Sequence, residues 1–197
     1  MPRAFARIAF TPRVLAAQEA HGSRQAYRPL LEGTDRDDPN PGSQLGPREA
    51  AFIAERSSFY QATVSETGWP YVQHRGGPVG FLRVLDARTL AYTSFAGNRQ
   101  YISEGNLAGD DRVALILTDY ANGRRLKLWG RASLLEAAAA PQLCEAYSDR
   151  EYSAPVERLI LIRVEAFDWN CPKHLPRLYD EAQVRVIIEA DRQRRKD

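Results

Sequence analysis

Between Phe59 and Trp169 the chain breaks into short runs rich in β-branched and aromatic residues, separated by turn residues. Phe59–Ser65 and Tyr71–Arg75 flank Glu66-Thr67-Gly68-Trp69-Pro70, which reads as a hairpin. Further extended runs cover Gly80–Leu85, Thr89–Ser94, Arg112–Thr118, Arg125–Leu135 and Arg158–Trp169. Two helical stretches interrupt them. Asn98–Leu107 carries apolar Tyr101, Ile102 and Leu107, and Ala137–Tyr147 is Ala-rich with Leu143. Six or seven strands spaced this closely predict a mainly β chain, a barrel with peripheral helices, and not a doubly wound sheet.

The length of 197 residues fits one compact domain with an appended arm. Such a domain buries about 70% of its unfolded surface, so it needs no metal or disulfide to hold a core. A content of 44% hydrophobic and 26% charged residues excludes a collagen, a wholly disordered chain and a membrane-embedded protein. Residues 1–47 read as an N-terminal arm that packs on the barrel or on a partner subunit. Val14–Ala20 is a short helix within it, and the polar stretch Gly33–Pro47 is turn-rich. Residues 48–197 make the barrel domain. Pro47-Arg48-Glu49 opens a helix that runs to about Arg56, with Ala51, Phe52 and Ile53 on its apolar side. Tyr179–Arg195 reads as a final amphipathic helix, although Val184–Ile188 also suits a strand.

Charge narrows the partners. The 27 Lys plus Arg nearly balance 25 Asp plus Glu, and the signs are intermixed outside the tail Arg192–Lys196. A solvated helix end accounts for that tail, so nothing calls for nucleic acid. Cys144 and Cys171 make neither a disulfide framework nor a zinc knuckle, and the spacing of Cys171 and His174 is a weak metal signal. No secretory h-region and no membrane-length apolar run is present, which points to a reducing cytoplasm.

Four clusters carry donors or cations. Gln73-His74-Arg75-Gly76-Gly77 ends a strand, where paired glycines let backbone amides approach a ligand; an ordinary hairpin turn would look the same. Tyr92-Thr93-Ser94 is followed by Gly97-Asn98-Arg99-Gln100-Tyr101. Asn98 there can cap a helix, and Arg99 beside its amides suits a phosphate. In Arg125–Arg131, period-two alternation puts Arg125, Lys127 and Trp129 on one face, toward either a ligand or solvent. Asp168–Arg177 brings Trp169, Lys173, His174 and Arg177 into a proline-fixed loop that either closes over an aromatic ligand or anchors a turn. No acid–base pair or activated nucleophile stands among these residues. Phosphate-binding and stacking groups without reactive groups suit a cofactor that supplies the chemistry, and flavin mononucleotide (FMN) fits: one phosphate, a polar ribityl chain and a flat ring.

At these residues the sequence resembles the pyridoxamine 5'-phosphate oxidase-like, FMN-binding family. The resemblance is carried by Ser58-Phe59-Tyr60, Gly68–Gly77, Gly97–Ser103, Arg125–Arg131 and Asp168–His174. It implies a split β-barrel, a homodimer, and one FMN in each of two clefts at the subunit interface. It implies that Gln73, His74 and Arg75 run beside the flavin, that Tyr92 and Thr93 lie near it, and that Asn98 and Arg99 hold its phosphate. It also places Arg125 near the flavin from the partner subunit and has Trp169 and Lys173 close the site. Ser94, Gln100 and Lys127 complete the expected cofactor-binding set. The oxidases proper grip substrate phosphate with an Arg-x-His-type element; here that region reads Asn170-Cys171-Pro172-Lys173-His174, which argues against pyridoxamine phosphate as substrate. The expected activity is hydride transfer through flavin on a small molecule, with Arg125 and Lys127 supplying positive charge near the ring. The alternatives are a non-catalytic flavin carrier or sensor, an oligonucleotide-binding barrel, and haem binding through His74 or His174.

Overall fold

The computed structural model describes residues 2–33, 42–147, 152 and 154–195. Seven strands form one sheet: β1 (Ser58–Val64), β2 (Pro70–Gly76), β3 (Arg83–Asp86), β4 (Thr89–Phe95), β5 (Arg112–Asp119), β6 (Arg124–Glu136) and β7 (Val156–Asn170). Their order is β2-β1-β5-β6-β7-β4-β3, antiparallel throughout. The sheet curls around a core but does not close, leaving β2 and β3 at its edges. It is a split barrel with peripheral helices.

Alternation decides what faces inward. β5 buries Val113, Leu115 and Leu117 and turns Ala114 and Ile116 outward. β6 buries Leu126 and Leu128, with Arg125, Lys127 and Trp129 on the outer face, as period two requires. Helix α4 (Pro47–Ala54) plugs the interior with Phe52 and Ile53, each fully buried and contributing roughly 1.5–3 kcal/mol. Glu49 starts this helix by accepting the Gly46 N–H at 3.0 Å.

β6 and β7 approach too closely at one point for any side chain. A Cβ on Gly130 would lie 2.5 Å from the Arg163 carbonyl oxygen and 2.8 Å from the Ile162 Cγ2. The pairing register also shifts there, Trp129 facing Ala166 while Gly130 faces Val164. Glu165 is the extra residue of this bulge.

Four further helices pack on the outside: α1 (Ala4–Ala9), α2 (Pro12–Ala20), α3 (Arg24–Glu32) and α6 (Pro141–Tyr147). α1 lies on the outer face of β7, where Ala4, Phe5 and Ala6 bury Ala166 and Phe5 stacks on Trp129 at 6.3 Å. α1 and α3 carried no clear start signal. Residues 34–41 of the expected turn-rich stretch lie outside the described residues, as does Lys196 of the basic tail.

Three local expectations are corrected. The strand expected over Gly80–Leu85 is only β3, because Phe81 and Leu82 reach the core from a turn closed by the Phe81 N–H and the Pro78 carbonyl. The helix expected from Ala137 begins at Pro141, after overlapping turns through Ala140. The helix expected from Asn98 begins later, as α5 (Ile102–Gly109). Residues Glu181–Arg194 form a helix, α7, and not a strand.

Candidate functional site

Edge strand β2 and the end of β4 enclose a cleft of about 320 Å³ with the segment leading into α5. Parity on β2 selects which side chains enter it. Tyr71, Gln73 and Arg75 point into the cleft, whereas His74 lies on the opposite face, edge-on to Tyr60 at 5.4 Å. Ser94 closes the end of β4, and Asn98, Arg99 and Gln100 form the wall before α5. Six expected residues therefore meet: Gln73, Arg75, Ser94, Asn98, Arg99 and Gln100.

The wall is strained. Arg99 (φ 60) and Tyr101 (φ 51) both adopt the left-handed conformation, at a cost of about 1–3 kcal/mol each. Asn98 does not cap α5, since Tyr101 occupies the N-cap position; its side chain instead accepts from the Gln100 N–H at 3.3 Å, folding the loop back on itself. Backbone strain of this kind persists where surrounding structure holds it, and here it presents Arg99 and Gln100 to the cleft.

Beneath the cleft lies a buried polar layer. The Tyr92 hydroxyl donates to Gln61 Oε1 at 2.7 Å, and Asn106 Nδ2 donates to Thr63 Oγ1 at 2.9 Å. Burial pushes the Tyr92 phenol up to about 12, against the opposing charge of Arg75. Arg75 Nε and Gln61 Nε2 are buried without a hydrogen-bond partner among the described residues.

Acids on the far rim are neutralised internally. Arg158 binds Glu104 and Glu136 at 2.8 Å and Glu157 at 3.2 Å. Burial raises the Glu104 carboxyl above its usual range, with Arg158 pulling it back. Arg75 and Arg99 make no ion pair among the described residues, although Arg75 also lies against the Tyr92 hydroxyl, so the cleft presents two guanidinium groups whose charge is not paired within it. Forked donors beside hydroxyl and amide groups suit a phosphate or another oxyanion.

The remaining expected residues lie elsewhere in the protomer. Tyr92 belongs to the core under Arg75, and Thr93, on the other side of β4, faces Phe81 and Tyr147. Lys127 is on the outer sheet face, 3.2 Å from Asp168 and 5.4 Å above the Trp129 ring. Arg125 is held by the Cys171 and Lys173 carbonyls. Trp169 is turned inward: its Nε1 donates to Glu49 at 2.8 Å, Phe52 packs edge-on to its ring, and Arg48 lies 4.3 Å from it. Lys173 is exposed in the loop after β7.

Sequence reading missed Tyr71, Glu104 and Glu157, which also line the cleft together with Tyr101 of the second cluster. Period two on β2 was a usable signal for Tyr71, but Gln61 had none, because its partner Tyr92 is 31 residues away.

A family model described as pyridoxamine 5'-phosphate oxidase matches residues 45–170, well over half of the chain. No curated protein matches the sequence. Among solved structures, HupZ of Group A Streptococcus is 15% identical, covering 68% of this chain and 100% of that one at a TM-score of 0.51. A Lactobacillus delbrueckii protein provisionally described as a pyridoxamine 5'-phosphate oxidase is 19% identical, covering 64% and 94% at a TM-score of 0.50. At these identities the likeness carries the fold, the split barrel described above.

Proposed function

The chain belongs to the pyridoxamine 5'-phosphate oxidase family, and from that premise we propose that it binds FMN and acts as a flavin-dependent oxidoreductase on a small molecule. The observation that carries the reading is the pair Arg75 and Arg99, cations without an ion pair among the described residues, in a cleft that also holds the polar groups of Gln73, Ser94 and Gln100. The buried, unpartnered Nε of Arg75 is a donor in need of an acceptor, which a phosphate supplies. Arg75 and Arg99 would hold the phosphate, and Gln73, Ser94 and Gln100 the adjoining hydroxyls. When bound, flavin supplies reversible hydride transfer.

The same reading makes the chain a homodimer. Tyr60, Ala62, Val72, Ala114, Ile116 and Trp129 line an apolar depression of about 200 Å³ on the outer sheet face. Val72 and Tyr60 are 60% and 42% exposed there, more apolar surface than a solvated sheet needs. A second copy covering this face would bring His74 and Lys127 to the interface and near a flavin shared between subunits. Pyridoxamine phosphate itself is not the proposed substrate, since Asn170-Cys171-Pro172-Lys173-His174 stands where the oxidases carry the Arg-x-His element. Cys144 and Cys171, which are not joined in a disulfide, suit a reducing cytoplasm, and among the described residues no helix is long and apolar enough to cross a membrane.

The test is an absorbance spectrum of the purified protein with chromatography of any released chromophore. Bands near ~375 and ~450 nm with FMN released support the reading. A colourless protein that refuses added FMN overturns it. Bound FMN that NADPH and NADH fail to reduce would favour a carrier or sensor, and a Soret band would favour haem.

A further inference from the structure

On the outer face, away from the cleft, strand register places arginines side by side. Arg112 on β5 pairs with Arg131 on β6, and Arg131 pairs with Arg163 on β7. Arg163 in turn pairs with Thr89 on β4, whose chain neighbour is Arg88. Like charges directly opposite one another destabilise a sheet, so a row of this kind runs against the local preference of the fold.

Two members of the row are neutralised. Arg112 pairs with Asp110, whose carboxyl it holds down to about 2, and Arg131 bridges Asp111 and Glu165, both at 2.7 Å. Arg88 and Arg163 have no ion pair among the described residues. Neither does Arg7 of α1, which faces them across a groove of about 550 Å³. Among the described residues the one carboxylate lining the groove, Glu165, is already committed to Arg131.

We propose that this groove is a second anion site, distinct from the cleft at Arg75 and Arg99, that takes an oligophosphate, a ligand with two or more linked phosphate groups. One phosphate engages one guanidinium fork, whereas three uncommitted forks from α1, the β3–β4 turn and β7 are spread around one groove. A chain of phosphates offers an anionic group to each of several such forks, and the groove volume is in the range of small-ligand sites.

The test is calorimetric titration of the full chain with inorganic tripolyphosphate. The expected result is saturable binding at one site per chain, tighter than orthophosphate and weakened by salt. The double variant Arg88→Ala/Arg163→Ala should weaken it at least about tenfold, while FMN binding is unchanged. Arg99→Ala should leave tripolyphosphate binding in the groove intact, which separates this site from the cleft. A parallel titration with ATP identifies the source: tighter binding than tripolyphosphate indicates a nucleotide, and equal binding a free phosphate chain. No saturable binding, binding insensitive to the double variant, or preferential binding of a single-stranded oligonucleotide with a length-dependent footprint would overturn the proposal.

Discussion

The hydroxyl of Tyr92 on β4 donates to the fully buried side-chain oxygen of Gln61 on β1, at 2.7 Å, across the interior of the barrel. This bond joins strands that are not neighbours in the sheet, and it lies directly below Arg75. Tyr92→Phe should destabilise the protein by about 1–3 kcal/mol, because it leaves the buried Gln61 amide without its partner. Denaturant midpoints of the two proteins check this.

The same phenol makes a pH prediction. Its pKa is raised from 10.0 to about 12 by burial, so the folded state resists its ionisation. A group raised on folding stabilises fully below its unfolded value, and that contribution is lost as pH rises from about 10 toward 12. Wild type should therefore lose stability over that interval more steeply than Tyr92→Phe. Stability measured at a series of alkaline pH values reads the difference.

In the cleft, Arg99→Ala and Arg75→Ala should each weaken FMN binding about 10- to 100-fold, the worth of one charge-assisted contact. Flavin fluorescence quenching on titration measures it. Equal affinity in both variants and the wild type would remove the cleft from the function.

Asp119 is 3% exposed and accepts from the Asn122 backbone at 3.0 Å and from Arg124 at 2.8 Å, with Arg56 at 3.7 Å. Burial pushes its carboxyl up, but these donors and charges outweigh it and hold the group below its usual range. Its stabilisation is present above the unfolded value near 3.8 and is lost as pH falls through the lower folded value. Asp119→Asn should cost about 2–3 kcal/mol at neutral pH and flatten the acid limb of the stability curve. Thermal melts from neutral to acid pH test both parts.

Gly130→Ala should destabilise by about 1–3 kcal/mol, since the new methyl meets backbone that cannot retreat without breaking the β6–β7 pairing. If the proposed homodimer forms through the outer sheet face, Val72→Glu should sediment as a monomer with its fold kept, and a coefficient equal to the wild type's would rule out this face as the subunit interface.

Sequence alone determined most of the strands, because turn residues and period-two alternation act over a few neighbouring positions. Gly68 marks a hairpin turn, and Leu126 and Leu128 alternate inward with Arg125 and Lys127 outward. It also singled out Gln73, Arg75, Ser94 and Asn98–Gln100, at strand ends and beside glycines, and the structure brings these to one cleft. The side on which His74 falls was readable from the same parity. Only the tertiary structure decided the rest. α5 begins at Ile102 because Arg99 and Tyr101 just before it adopt left-handed conformations that no local propensity of these residues favours. Trp169 turns inward because Glu49, 120 residues earlier, accepts its N–H. The arginine row exists because register sets Arg112, Arg131 and Arg163 opposite one another. Each of these depends on partners far apart in the chain, whose meeting is fixed by how strands pair and what the core must enclose.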